Sequence, residues 1–536
     1  MKTLESKKLP ILLCLISGVL LALPWYESFT GLILLFAFTP LLYAEHLLSK
    51  KGSTTWNVML HVALTFAVWA ALDTWWIMNA AIAGLVAAII IHTIFGSIVI
   101  GLFHITKKRL GKIAGYISLV FFWIAYEHFY TNAEISFPWL TLGNGFAKDI
   151  LLIQWYEFTG VLGGSLWALL SNIIIFQAFT SFLEQNKKKG YKLLGWSAGL
   201  IILPAVTSLI IFNSIEETGE KVNVAILQPN IDPYSEKFGG MSNEDQAMIL
   251  LNLAEAATDS NTSLVFGPET ALQGSILEEG LSDNPSVAMV MQFAKRHPNT
   301  AFIVGMTSIK TYFTTIKPTP TARKSEYQDL FYDRYNAALQ VDTAEFQIYH
   351  KSKLVVGVEK MPYINLLPFI EKLALNMGGT IGSLGTQEDR FVFQSANKNI
   401  RVAPAICYES VYGEYFTEWI KNGANIGAVI TNDGWWGNTP GYRQHLTYSS
   451  IRAIETRRYI ARSANTGVSA IINTKGEIVN KLGWWQRGYL KGDVIMNDKI
   501  TTYVIWGDYI GRISTMLALL MLPVLLVQFL KKKKEE

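Results

Sequence analysis

Apolar runs of about 20 residues, the length that crosses a hydrocarbon core, recur through the first 213 positions of this chain. Seven spans are predicted, at 9–27, 29–48, 56–78, 80–104, 113–131, 158–183 and 193–213, and an eighth lies at 510–530. Water cannot solvate so much apolar surface, so the bilayer is the expected solvent for this part. Composition agrees: half of the 536 residues are hydrophobic and 16% are charged, against roughly 25% charged in soluble domains. Disordered and collagen-like chains are excluded, and 2 cysteines cannot build a disulfide framework. The weakest boundary is at Asn79, where almost nothing polar divides the third span from the fourth.

Lysine and arginine set the expected orientation. Lys2, Lys7, Lys8, Lys50, Lys51, Lys107, Lys108, Arg109, Lys112, Lys187, Lys188, Lys189, Lys192 and Lys531 to Lys534 give 17 basic residues on one side, against Lys148 alone on the other. Both termini are therefore expected in the cytoplasm, and the long insert between spans seven and eight outside it. The expected division is a membrane domain over 1–213, an extracytoplasmic domain over 214–509, and an eighth span with a basic tail over 510–536. The cytoplasmic segments carry a net +13 and the remainder −9, an acidic balance that argues against nucleic acid as a partner. Leu21-Ala22-Leu23-Pro24-Trp25 lacks a small-x-small cleavage pattern, so the first span is expected to stay in place. Cys14, after the bulky Leu13, reads as a packing residue. Asp73, Glu127 and His128 fall near span ends, where water is expected to reach them. Trp25, Trp75, Trp76, Trp139 and Trp155 read as an interfacial aromatic belt.

From residue 221 the pattern changes to short β-branched runs bounded by turn residues. Strands are predicted at Val222–Leu227, Ser263–Phe266, Ala301–Met306, Asn336–Gln340, Glu345–Tyr349, Arg401–Ile406, Gly427–Thr431, Val468–Asn473 and Glu477–Leu482. Helices are predicted between them at 243–258, 284–296, 410–422 and 443–457. The alternation indicates one α/β domain. A polar loop near 310–330 and a mixed apolar and glycine segment at 361–385 interrupt it.

Cys407 is the one cysteine of the insert, so it has no disulfide partner in this chain. It is either a buried residue at a strand end or a nucleophile. Its setting, Pro404-Ala405-Ile406-Cys407-Tyr408-Glu409, runs a strand straight into a turn, which presents a side chain beside free backbone donors. A thiol nucleophile needs a base. His297, His350 and His445 have less suitable settings than Glu269, which follows a strand in Gly267-Pro268-Glu269-Thr270. Lys351 ends another strand. Alone, each of these two reads as a surface or capping residue. Together, three reactive groups directly after strands of one α/β domain mark the place where such folds build sites. No ligand cluster has metal spacing.

In order and setting, Glu269, Lys351 and Cys407 resemble the nitrilase (carbon–nitrogen hydrolase) superfamily. With seven spans before the insert and one after it, the whole chain resembles the apolipoprotein N-acyltransferase family. The resemblance includes Phe137-Pro138-Trp139-Leu140, the Gly160–Trp167 stretch, Gln228-Pro229-Asn230-Ile231, Tyr349-His350-Lys351, Asn432-Asp433-Gly434-Trp435-Trp436-Gly437 and Arg462-Ser463-Ala464-Asn465-Thr466-Gly467. It implies an αββα nitrilase-like sandwich beside an α-helical membrane bundle of about eight helices, in a bacterial inner membrane. It also implies a Glu269–Lys351–Cys407 triad: base, oxyanion holder and thioester-forming nucleophile. Glu359, Tyr408 and Glu409 match supporting residues, and Phe238 stands where the family has a tryptophan. Val356-Gly357-Val358 departs from the family's Pro-Phe-Gly. Phe238, Trp435, Trp436 and the stretch 361–377 are expected along the acyl route. The implied donor is a phospholipid and the implied acceptor a diacylglyceryl-modified apolipoprotein. Neither a metal nor an organic cofactor is expected, and the chain is taken as a monomer. The rival reading is a membrane-anchored amidase or nitrilase that uses water as acceptor.

Overall fold

The computed structural model describes residues 8–535 apart from 327, 344, 364–382 and 396–398. Most of the 361–377 stretch expected along the acyl route thus lies outside the described residues. The chain divides into a helical unit (Met1–Met78, Ile82–Ser214 and Trp506–Glu536) and an α/β unit (Asn79–Ala81 and Ile215–Ile505).

Among the described residues, six helical stretches are long and apolar enough to cross a membrane. They are Gly31–Lys50, Thr55–Asn79, Ile82–Leu110, Val161–Leu183, Lys187–Ser214 and Tyr509–Lys531. Leu9–Trp25 is apolar but shorter, and Lys112–Asn132 is a further helix of 21 residues. The break expected at Asn79 is present: a tight turn over Trp75–Asn79 separates helix Thr55–Thr74 from helix Ile82–Leu110. Cys14 is fully buried, as a packing residue should be.

Two expectations for this unit are corrected. Asp73 and Glu127 do not reach water; they are 1% and 4% exposed. Glu127 is enclosed because it accepts from Trp123 Nε1 at 2.9 Å and from the Leu142 N–H at 2.8 Å, which ties the 132–157 connection to its helix. Nor do all five tryptophans lie at the surface: Trp75 is exposed and Trp155 half-buried, but the other three are core. Trp25, Trp76 and Trp139 are buried, Trp25 packing on Trp69 at 5.6 Å and Trp76 on Trp139 at 5.0 Å. Ring-on-ring packing claims them.

In the α/β unit the strands are β1 (Lys221–Gln228), β2 (Thr262–Phe266), β3 (Leu272–Leu277), β4 (Ala301–Tyr312), β5 (Arg323–Lys324), β6 (Phe331–Val341) and β7 (Phe346–His350). The remaining strands are β8 (Phe393–Gln394), β9 (Arg401–Ile406), β10 (Ile426–Thr431), β11 (Ile460–Ala464), β12 (Ala470–Ile472), β13 (Ile478–Lys481) and β14 (Gly488–Ile495). One sheet runs β14-β1-β2-β4-β6-β5, with β3 on β4 and β7 on β6; the other runs β13-β12-β11-β10-β9-β8. Their centres are parallel, β1 with β2 and β2 with β4 in the first, β9 with β10 and β10 with β11 in the second. Parallel strands are covered on both faces, and β10 is buried at every position. The sheets meet where Ser463 Oγ of β11 donates to the Leu227 carbonyl of β1 at 2.8 Å. Helices Asn243–Ala257 and Pro285–Arg296 pack on the first sheet through Leu250, Val290 and Phe293. Helices Gly413–Lys421 and Pro440–Thr456 contact β9 and β11 of the second. The order helix, sheet, sheet, helix is the expected αββα arrangement.

Gly305 of β4 fixes one detail that matters for the site. Its N–H donates to the Pro268 carbonyl at 3.0 Å. A Cβ there would lie 2.5 Å from Thr270 N and 2.6 Å from Glu269 Cα. Only glycine lets β4 support the turn that carries Glu269. Gly305→Ala is expected to destabilise the protein by about 1–3 kcal/mol, read as a lower thermal unfolding midpoint. An unchanged midpoint would contradict this packing.

Candidate active site

Three strand ends carry the reactive groups. Glu269 follows β2, Lys351 follows β7 and Cys407 follows β9, and all three are buried, at 6%, 1% and 7% exposure. The backbone is strained beside two of them: Cys407 has φ 50° and Thr270, next to Glu269, has φ 47°. Left-handed φ is costly for a residue with a Cβ and most of all for a β-branched one. Such strain persists where surrounding contacts hold it, typically at functional sites.

Lys351 is held between two carboxylates. Its Nζ lies 2.9 Å from Glu269 Oε1 and 2.9 Å from Glu359. Asn336 Nδ2, from β6, donates to both carboxylates at 2.8 Å. The Asn432 N–H, just after β10, donates to the other Glu269 oxygen at 3.1 Å, and Lys237 Nζ donates to the Glu269 carbonyl at 3.0 Å. Burial alone would raise the Glu269 carboxyl, but Lys351, Asn336 and Lys237 outweigh it and hold it below the usual carboxylate value. Burial likewise opposes the Lys351 ammonium, yet Glu269 and Glu359, with Cys407, keep it well above the usual lysine value. Burial and the Glu269 charge push the Cys407 thiol up, and Lys351 offsets only part of this. At rest the site therefore holds a carboxylate, an ammonium and a neutral thiol, close enough for each charge to act on the sulfur.

The turn bearing Cys407 is tied down by Glu409, which is wholly buried. Its carboxylate accepts from the Ile406 N–H at 2.8 Å and, across to β7, from Tyr349 OH at 2.6 Å and the Ser352 N–H at 2.7 Å. Tyr415 OH donates to it at 2.7 Å. Glu409 thus links the segment carrying Lys351 to the turn carrying Cys407. Tyr408 is buried and packs edge-on to Tyr412, ring centres 5.2 Å apart.

Beneath the turn lies a cluster that sequence reasoning missed. His445 Nε2 is 3.2 Å from the Cys407 carbonyl and 3.0 Å from Ser410 Oγ, while its Nδ1 is 2.9 Å from Asp433. Arg462 NH2 lies 2.6 Å from the second Asp433 oxygen. Burial and Arg462 hold the His445 imidazole below its usual value. His445 therefore supports the backbone of the nucleophile candidate, in keeping with the preference for Glu269 as base. Asn336 and Lys237 were missed too. The signal for Asn336 was a single polar side chain inside the apolar run Tyr335-Asn336-Ala337-Ala338-Leu339.

The aromatic candidates form one patch. Phe238, 54% exposed, stacks on Trp435 with ring centres 5.4 Å apart, and Tyr234 meets Trp435 edge-on at 5.4 Å. Phe238 follows Lys237, which reaches the Glu269 carbonyl. Trp436 packs on His445 at 5.5 Å, so the patch touches both sides of the site. Among the described residues, no group of three or more His, Cys, Asp or Glu is placed to hold a metal ion.

Comparison with known proteins bears on both units. The carbon–nitrogen hydrolase family model matches residues 223–502. The model for the apolipoprotein N-acyltransferase N-terminal domain matches residues 17–174. An apolipoprotein N-acyltransferase of Chlorobaculum tepidum is 29% identical over 94% of each chain. One of Geobacter metallireducens is 25% identical over 93% of this chain and 91% of its own, and one of Rickettsia prowazekii 26% identical over 97% and 98%. A nitrilase-like fold in the α/β unit and several long apolar helices in the other fit these matches. With one model covering more than half of its length and the other residues 17–174 of its helical part, the chain belongs to the carbon–nitrogen hydrolase family, in its apolipoprotein N-acyltransferase branch.

Proposed function

We propose that this acyltransferase moves an acyl chain from a phospholipid, through a thioester on Cys407, to the N-terminal α-amine of a diacylglyceryl-modified apolipoprotein. The observation that carries the chemistry is a buried thiol at a strained strand end, in a site where the Lys351 ammonium is held between Glu269 and Glu359.

In the first half-reaction Cys407 Sγ attacks the ester carbonyl and its proton passes to Glu269. The oxyanion is held by the Lys351 ammonium and by the backbone N–H of Tyr408, the residue next to the nucleophile. Collapse breaks the ester C–O bond, and the lysophospholipid leaves with the proton from Glu269. In the second half-reaction the acceptor amine attacks the thioester carbonyl, Glu269 takes its proton, and collapse returns that proton to the thiolate. The product is an amide, more stable than the thioester, so transfer runs downhill. Each step uses groups of the chain and its two substrates. Glu359 keeps Lys351 protonated while Glu269 changes charge, and Glu409 fixes the spacing between Lys351 and Cys407. Phe238, Trp435 and Trp436 line the acyl route in this reading, supported by the exposed Phe238 ring stacked on half-buried Trp435 and by the contact of half-buried Trp436 with His445.

Both substrates are lipids, so confinement near the bilayer replaces diffusion through water. We assign residues 1–213 to seven spans, 214–509 to the catalytic domain on the outer side of the inner membrane, and 510–536 to an eighth span and cytoplasmic tail. The imbalance of 17 basic residues to 1 supports this orientation. The enzyme acts as a monomer in this reading. A water-using amidase gives no reason for a helical unit that matches an N-acyltransferase domain.

Cys407→Ala should reduce N-acylation of a diacylglyceryl peptide to background while the protein stays folded in membranes; retained activity would end the assignment. Lys351→Met should lower kcat by roughly 10²–10³, the usual loss for an oxyanion donor; a change confined to KM would contradict its role. Glu269 must be ionised to act as base, and its carboxyl lies below the usual 4.5. Acyl-enzyme formation is therefore expected to fall in acid along a limb centred below the usual carboxylate value, because protonation removes the base. An acid limb centred a full unit or more above that value would contradict the charge assignment.

A further inference from the structure

The helical unit contains a cavity of about 990 Å³ that, among the described residues, none of the α/β unit lines. Its size is at the upper end of the roughly 300–1,000 Å³ found for small-molecule sites. Its shape follows the helices. Along Lys112–Asn132 the lining runs from Lys112 to Ile124, and along Val161–Leu183 from Leu166 to Ser181. At the helical rise these are stretches of roughly 18 and 22 Å. Both exceed the roughly 15 Å half-thickness of a hydrocarbon core, so the cavity has the length of an acyl chain.

Its two ends differ in chemistry. One end is rimmed by five lysines, Lys50, Lys107, Lys108, Lys112 and Lys189, with Glu184 as the one carboxylate of the lining. Lys107 is paired with Glu45. Among the described residues Lys50, Lys108, Lys112 and Lys189 make no ion pair, and all four are exposed. Further along, the walls are Ile117, Phe121, Ile124, Leu170, Ile173 and Leu517. Ile117 and Leu517 are also exposed at the surface of the unit, which gives a chain a lateral way in from surrounding lipid.

We propose that this cavity binds an anionic glycerophospholipid, its phosphate among Lys50, Lys108, Lys112 and Lys189 and an acyl chain between helices Lys112–Asn132 and Val161–Leu183. Apolar walls of this length select a lipid over a soluble anion. Four lysines without an ion pair, against the single carboxylate of Glu184, select an anionic headgroup over a zwitterionic one, as basic pockets between membrane helices do. The lipid is a bound ligand of the helical unit and not the acyl donor: Glu269, Lys351 and Cys407 are absent from the lining.

The test uses the full-length protein in neutral detergent, titrated with phosphatidylglycerol or phosphatidylcholine, with retained lipid counted by native mass spectrometry. Phosphatidylglycerol should be retained at a roughly tenfold lower concentration than phosphatidylcholine. The double reversal Lys108→Glu with Lys112→Glu should abolish that preference. The same charge change outside the cavity, Lys187→Glu with Lys188→Glu, should leave it intact. Leu170→Trp, which fills the wall and leaves the lysines in place, should reduce retention of either lipid. Equal retention of the two lipids by the parent protein would overturn the proposal. So would equal effects of the two charge reversals, or full competition by glycerol 3-phosphate at the lipid's own concentration. The reversed lysines are exposed, so they remain informative if Leu170→Trp unfolds. Acyl transfer is not the readout, so failure here leaves the Cys407 mechanism untouched.

Discussion

An ammonium group stays charged in a protein interior only where carboxylates surround it, and Lys351, 1% exposed, lies 2.9 Å from both Glu269 and Glu359. Much of the site is arranged by that requirement. Glu269 arrives from the turn after β2, Asn336 from β6, and Glu359 from the segment after β7. The Asn432 N–H adds a tie to the end of β10 in the second sheet. Removing one partner of such a buried pair costs roughly 3–5 kcal/mol, because a bare charge is left behind. The cluster therefore fixes where Glu269 sits relative to the second sheet and also keeps its carboxylate ionised.

Cys407, the proposed nucleophile, is positioned by different means. Cys407 adopts a left-handed backbone conformation that glycine would tolerate better, yet only cysteine supplies the sulfur. Contacts on both sides of the turn hold that strain. Glu409 binds the Ile406 N–H ahead of it, and His445 and Ser410 meet the Cys407 carbonyl. His445 is in turn fixed by Asp433, and Asp433 by Arg462 from β11. Two buried polar networks thus hold the Cys407 turn from either side, while the Lys351 cluster sets the charges around the sulfur.

Much of this was legible in the sequence because strand ends are marked by local pattern. Arg401–Ile406 is predicted at its observed bounds, and Glu269, Lys351 and Cys407 stand out as reactive residues directly after apolar runs. Strands β11 and β14 were missed for a physical reason. Arg462 and Ser463 make β11 look polar, although every residue in it is buried, because the partner that neutralises Arg462 lies 29 positions away in Asp433. Gly488, Lys491, Gly492 and Asp493 break the alternation of the edge strand β14. The same limit hid Asn336 and His445: a buried polar residue looks like a surface one until its long-range partner is known. In the helical unit the tryptophans near predicted span ends fit a belt by position alone, and only ring-on-ring contacts show that three of them are core.

The central claim is that Cys407 carries the acyl chain between two lipid molecules. Its most direct measurement is peptide mass spectrometry of the purified protein after incubation with phospholipid and before addition of any acceptor. The account predicts an acyl increment on the peptide containing Cys407, cleaved by hydroxylamine and lost when a diacylglyceryl-cysteine peptide is added. An increment on another residue, or N-acylated product formed with no covalent intermediate, would contradict it.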